Sequence, residues 1–376
     1  MNSPIKPKGK LPGVHAFRGY AALLVVFCHA ADAVKRFSGF SGFDWMIEGG
    51  VVGVCFFFVL SGFIMGHVHG RDPKDLHYGK VFALKRFFRV VPMYWLVTIL
   101  VFIVIKFGGE YGADSHDQFR SLVHSLFFIP LEDGPVLRVG WTLNHEVLFY
   151  ALFCTAFYVF KRPVILLGGW MLAVLANGFS NSFSRPSGDG VVDVIAGFIT
   201  LGLSPLNLLF ALGLLATLLI GRMQNVASHI KRNNVFAFSG LLFGITLLAM
   251  VWWKSFTLGP GMSDTLRWWK PVIYGILSVA ILGLLAVPAI GMHFEGATNS
   301  LLGNSSYAVY LIHYYVIAVA SRVFRSFEFM NHPIVFFVAL VVCGIIAGSV
   351  FHYLIEKPMS QFFARFVKSQ SNIQPT

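Results

Sequence analysis

Val14-His15-Ala16-Phe17-Arg18-Gly19-Tyr20-Ala21-Ala22-Leu23-Leu24-Val25-Val26-Phe27-Cys28-His29-Ala30-Ala31-Asp32-Ala33-Val34 decides the class of this chain. The run is long enough for a helix to cross hydrocarbon, which takes about 20 mainly apolar residues. It nevertheless carries Arg18 and His29 within it and Asp32 near its end. Similar apolar runs follow at 49–67, 90–107, 141–160, 163–179, 203–221, 235–254, 271–291, 305–323 and 333–355. The stretch from Asp193 to Gly221 is long and broken at Pro205, so it has room for an extra re-entrant piece. The fold expected is all-α, a polytopic transmembrane bundle of about ten helices, because in lipid a helix satisfies its own backbone.

Composition agrees. Hydrophobic residues make up 56% of the 376 and charged residues 12%, about half the share of a soluble domain; the mean hydropathy is +0.70. The net charge of +12 does not indicate nucleic acid, because the basic residues are spread between apolar runs and form no stripe. They report orientation instead. With the N-terminus inside, inner segments hold 18 of the 29 Lys/Arg and 4 of the 17 Asp/Glu, which places both termini in the cytoplasm. Residues 1–13 are then a cytoplasmic segment, 14–358 the membrane domain and 359–376 a cytoplasmic tail, polar and irregular after Phe366. The loop 66–88 is basic and internal. The loop 107–140, with Glu110, Asp114, Asp117, Glu132 and Asp133, is external. Cys28, Cys55, Cys154 and Cys343 show no metal-type spacing and read as buried small hydrophobes. No metal site is expected. The first run lacks a cleavage site, so it is expected to stay as a helix.

Ionisable groups inside hydrocarbon cost several kcal/mol, so each is a candidate functional residue. Arg18 and His29 lie eleven residues apart, about three helical turns, so both leave one face with a rise of roughly 16 Å between them. A guanidinium at the cytoplasmic boundary suits phosphate, and a deeper imidazole suits proton transfer. A long donor with phosphates at one end and a reactive group at the other fits that gap, and a coenzyme A thioester has that shape. Arg86 and Arg89 share a helix face by their spacing of three and read as a polyanion grip at the membrane surface. Thr142, Glu146 and Tyr150 form an i, i+4, i+8 stripe on the fourth span, where the carboxylate is placed either to orient His29 or to accept from sugar hydroxyls. Ser306, Tyr310 and His313 gather near one face of the ninth, and His352 and Glu356 lie four apart at the last cytoplasmic edge. Asp32, one turn after His29, is placed either to orient it or to end the helix. His67, His69 and His77 read as loop residues.

These elements, in order, resemble the acyltransferase-3 family of membrane O-acyltransferases. They are Arg18-x10-His29, Phe57-Phe58-Val59-Leu60-Ser61-Gly62-Phe63, Arg86-x-x-Arg89 before Pro92, Trp141-Thr142-Leu143-Asn144-His145-Glu146 through Tyr150, Ser306-Tyr307 through His313, and Glu356-Lys357-Pro358. The fourth motif is similar to the exopolysaccharide acetyltransferase branch; His145 departs from it. The resemblance implies acetyl-CoA or another short acyl-CoA as donor, no permanently bound cofactor, and a carbohydrate hydroxyl as acceptor, lipid-linked or part of an envelope or secreted polysaccharide. It implies His29 and Glu146 as catalytic residues, and Arg18, Ser61, Arg86, Arg89, Tyr150, Tyr307 and His313 as substrate-binding residues. It implies a multi-pass protein of the cell membrane, the inner membrane of a bacterium. Relatives often carry a C-terminal hydrolase-like domain; this chain resembles the stand-alone type, in which a second transfer step falls to another protein. The competing expectation is a polytopic transporter of a sugar or sugar-lipid, with buried His and Glu and helices broken at mid-membrane.

Overall fold

Without water to bond to, the backbone of each apolar run closes its own hydrogen bonds, and the described residues contain helices and no strand. The computed structural model describes residues 11–108, 115–130, 134–180, 191–227, 234–257, 264–324 and 331–371. Glu110, Asp114, Glu132, Asp133, most of the N-terminal segment and Asn372 lie outside these.

The helices are α1 (Pro12–Ser38), α2 (Ile47–His69), α3 (Leu76–Gly108), α4 (Ser115–Leu126), α5 (Trp141–Cys154), α6 (Pro163–Ser180), α7 (Val191–Gly202), α8 (Asn207–Ala227), α9 (Asn234–Thr257), α10 (Asp264–Leu285), the single turn α11 (Pro288–Gly291), α12 (Ala297–Phe324), α13 (Pro333–Phe351) and α14 (Lys357–Ser371). Among the described residues six segments are long and apolar enough to cross a membrane: Pro12–Ser38, Asp44–His69, Leu76–Phe107, Val191–Ile220, Ala297–Phe324 and Pro333–Ser369. Pro163–Gly178, Gly240–Trp253 and Lys270–Leu285 are shorter apolar helices. The chain is therefore a multi-pass helical membrane protein.

Three elements differ from the expected pattern. α3 starts at Leu76, so Lys85, Arg86 and Arg89 belong to one long helix and not to a loop. The stretch with room for a re-entrant piece, drawn as one span from 203, divides into two helices, α7 before Pro205 and α8 after it. The tail, expected to be polar and irregular after Phe366, is helical to Ser371. There Phe363 stacks on Phe88 at 4.4 Å and Phe366 meets the same ring edge-on at 5.6 Å, an i, i+3 pair that gives this helix an apolar side against α3.

α1 packs between α2 and α12, α12 against α13, and α2 most extensively against α8. Lipid tails are as apolar as leucine, so helix association inside a membrane depends on close backbone approach at small residues. At the α2–α8 crossing, a Cβ on Gly213 would lie 2.0 Å from the Val59 carbonyl oxygen, and one on Gly62 would lie 2.1 Å from that of Phe210. Neither backbone can recede. Gly213→Val is expected to abolish recovery of monodisperse protein in size-exclusion of detergent extracts, and Gly62→Val to do the same. Elution and melting like the parent would show that the two helices do not cross here. Beside the crossing, Phe149 stacks on Phe210 at 4.2 Å, which ties α5 to α8.

Candidate active site

The α2–α8 crossing sets the position of the residue before it. Ser61 is buried and meets α5: its Oγ donates to Glu146 Oε1 at 3.2 Å and lies 3.3 Å from the Tyr150 hydroxyl. Tyr150, one turn after Glu146, donates to the same carboxylate oxygen. A carboxylate inside a helical bundle is held by such donors because a charge or polar group without partners there is costly.

Around this group opens a cavity of about 90 Å³. Thr142, Glu146 and Tyr150 line it from α5, Ser61 with Phe57, Phe58 and Ile64 from α2, Arg18 from α1, Arg86 and Arg89 from α3, and Tyr307 and Tyr310 from α12. The i, i+4, i+8 stripe thus faces one space. A second cavity of about 190 Å³ lies against His15, Asn304, Glu356, Met359 and Ser360, and shares Arg18, Arg89 and Tyr307 with the first. Tyr307 is fixed by donating to the Val90 carbonyl at 2.9 Å. Two guanidiniums therefore stand where a polar cavity meets one with apolar walls. That arrangement suits a ligand with an anionic head and a long neutral arm.

Seven of the nine residues expected at the site border the first cavity; His29 and His313 do not line either one. α1 is continuous from Arg18 to His29, and both look toward α12. The His29 ring lies 5.2 Å from that of His313 and 5.0 Å, edge-on, from that of Tyr314. His313 is fully buried, its Nδ1 3.0 Å from the Val309 carbonyl oxygen and its Nε2 without a hydrogen-bond partner among the described residues. Between this imidazole pair and the cavity stands Tyr310, 6.0 Å ring to ring from His313 and joined to Thr142 Oγ1 at 2.7 Å. No hydrogen bond joins Glu146 to His29.

Arg86 and Arg89 both border the first cavity, but their surroundings differ. Arg86 points into the protein, its guanidinium 5.6 Å from the Phe82 ring centre and 5.4 Å from that of Tyr150. Asp32 accepts from Arg36, one turn further on, and not from His29. His145 Nδ1 meets Asn207 Oδ1 at 3.1 Å, and Asn207 Nδ2 donates to the Leu201 and Gly202 carbonyls; these bonds tie α5 to the α7–α8 turn, away from the cavity lining. His352 Nδ1 pairs with Glu356 Oε2 at 2.7 Å at the edge of the second cavity. His69, expected in a loop, closes α2, is buried, and lies with Nε2 2.9 Å from Arg86 Nη2. Its spacing of three from Asp72 was visible in the chain, but nothing local to it pointed to Arg86.

Comparison with known proteins bears on the same residues. A family model described as an acyltransferase domain matches residues 11–353, which encloses every residue of both cavities except Glu356, Met359 and Ser360. The chain is 27% identical over 335 residues to the exopolysaccharide production protein ExoZ of Rhizobium meliloti, covering 82% of this chain and 89% of the relative. It is 24% identical to the acyltransferase MdmB of Streptomyces mycarofaciens, covering 95% and 93%. It is 24% identical to the putative peptidoglycan O-acetyltransferase YrhL of Bacillus subtilis, covering 95% of this chain and 56% of the relative. No solved structure matches. A match spanning nearly the whole membrane domain, over helices that gather its polar motifs around one cavity, makes this chain a member of the acyltransferase-3 family, a multi-pass membrane O-acyltransferase.

Proposed function

We propose that the chain moves an acetyl or other short acyl group from a coenzyme A thioester to a hydroxyl of an envelope or secreted carbohydrate. The observation that carries this is the shared border of the two cavities, where Arg18 and Arg89 face both a polar mouth and an apolar-walled interior. The phosphates lie in the mouth against these guanidiniums, on the cytoplasmic side by the distribution of Lys and Arg. The pantetheine arm runs along Phe57, Ile64 and Tyr307 to the Thr142–Tyr310 pair. Ser61, Glu146 and Tyr150 offer the arm's amides acceptors and a donor.

The acceptor hydroxyl arrives from the other side of Tyr310, where His29 and His313 stand. His29 takes the hydroxyl proton as the oxygen attacks the thioester carbonyl. The carbon–sulfur bond breaks, the proton passes to the departing thiolate, and the products are an ester and free coenzyme A. Contact between the two sides requires the Tyr310 ring to move from its bond to Thr142. In this scheme Glu146 serves the donor arm and does not orient the imidazole. The relatives named for exopolysaccharide production and peptidoglycan O-acetylation support a carbohydrate acceptor, lipid-linked or polymeric.

Purified protein in lipid nanodiscs, given radiolabelled acetyl-CoA and carbohydrate extracted from cells lacking the protein, is expected to place label in an alkali-labile ester. Surface carbohydrate from such cells is expected to lack one ester that the parent carries. Carbohydrate moved across vesicles without any acyl incorporation would overturn the proposal in favour of transport, a function that the family match does not favour.

A further inference from the structure

Arg86 differs from the other two cavity arginines in what holds it. Its Nη2 lies 2.9 Å from His69 Nε2. A guanidinium has no lone pair to offer and only donates, so His69 Nε2 is the acceptor and carries no hydrogen. The ring hydrogen therefore sits on Nδ1, which donates to Asp72 Oδ2 at 2.7 Å. Asp72 is fixed in turn by the Tyr158 hydroxyl, which donates to the same oxygen at 3.0 Å.

Tyr158 reaches that position through an irregular turn. After α5 the chain makes a wide i→i+5 turn over Thr155–Val159, with Phe160 N bonded to the Thr155 carbonyl at 2.9 Å. Such wide turns insert one residue and re-aim the side chains around them. The neighbouring helix accommodates it at Gly79, where a Cβ would lie 2.9 Å from that of Tyr158. Three polar groups from three elements thus form one chain that ends on this guanidinium. Its other surroundings are Phe82 and Tyr150, and its Nε, buried, has no hydrogen-bond partner among the described residues.

We propose that His69 is a positioning residue that, with Asp72 and Tyr158, locks Arg86 in the wall of the donor cavity. Asp72 selects the tautomer of His69, the tautomer presents a lone pair to Arg86, and Arg86 keeps its remaining donors for the acyl donor. An imidazole held by a carboxylate in this way is fixed in both ring orientation and proton position. The inference rests on the assignment of this cavity to the acyl-CoA arm.

The test uses the full chain in nanodiscs and initial rates of acyl transfer at varied acyl-CoA. His69→Ala removes the acceptor and is expected to raise the KM for acyl-CoA by about tenfold or more, the effect of one hydrogen bond to a charged group, with a smaller change in kcat. Asp72→Asn is nearly isosteric. It can donate to Nδ1, turn the tautomer and set an N–H against Arg86, so it is expected to raise KM similarly. His69→Gln keeps a carbonyl acceptor that needs no tautomer, and is expected to stay within a few-fold of the parent. In that background Asp72→Asn is expected to add little. Were Asp72→Asn to cost as much with glutamine at position 69 as with histidine, or to leave KM unchanged in both, the tautomer lock would be wrong. If His69→Ala does not fold, the Asp72→Asn pair decides alone. Arg86→Ala, run in parallel, separates the two levels. If it leaves donor KM and kcat at parent values, the assignment of the cavity to the donor fails, whatever His69 does.

Discussion

His29→Ala is expected to lower acyl transfer by about 10²–10⁴, the usual effect of losing a general base, while leaving donor binding close to that of the parent. The separation follows from geometry. The imidazole lies beyond Tyr310, packed on His313 and Tyr314, and borders neither cavity. Its loss removes no contact to phosphates or pantetheine. Single-turnover transfer with radiolabelled acetyl-CoA, set beside calorimetric binding of a non-transferable thioether analogue, measures both quantities on one preparation. Transfer at the parent rate in folded protein would end the role given to His29. His313→Ala, tested beside it, reports on the second imidazole. Its Nε2 has no partner among the described residues, so an effect on kcat would mark it as a proton acceptor for the first.

Arg18→Ala is expected to act on the other quantity. Arg18 borders both cavities, at the point where the anionic head of the donor meets its arm. Truncating one partner of a buried charge pair typically costs about 2–5 kcal/mol, which is roughly 30- to 5,000-fold in affinity. The loss should appear in donor Kd and in kcat/KM. Arg18→Lys should recover part of it, because an ammonium keeps the charge but not the two-pronged geometry that guanidinium offers phosphate. The same calorimetry, repeated at raised salt, checks the electrostatic origin. A donor Kd unchanged in Arg18→Ala would place the phosphates elsewhere.

Much of the site was legible in the chain. Thr142, Glu146 and Tyr150 share a stripe because any α-helix repeats every 3.6 residues, and all three face the cavity. Arg18 and His29 sit on one continuous helix, as their surroundings required. Other features were hidden for physical reasons. His69 looked like part of a basic loop because nothing near it in sequence shows that Arg86, on the next helix, needs an acceptor. Arg86 and Arg89 looked equivalent because spacing places them on one face, yet it says nothing of what that face meets. The irregular turn over Thr155–Val159 leaves no mark in an apolar run, since it depends on Asp72 and Gly79 lying opposite.

By itself, the sequence determined that the chain is helical and membrane-embedded, which residues carry charge into hydrocarbon, and which of them share a helix face. These follow from local composition and from backbone hydrogen bonding that each segment completes alone. Only the tertiary structure decided that Ser61 bonds Glu146, that His69 holds Arg86, and that Tyr310 stands between the cavity and His29. A helix that is apolar all round gives no sign of which side meets protein and which meets lipid. That choice is made by pairs of small residues such as Gly62 and Gly213, far apart in the chain, whose backbones can approach where larger side chains cannot.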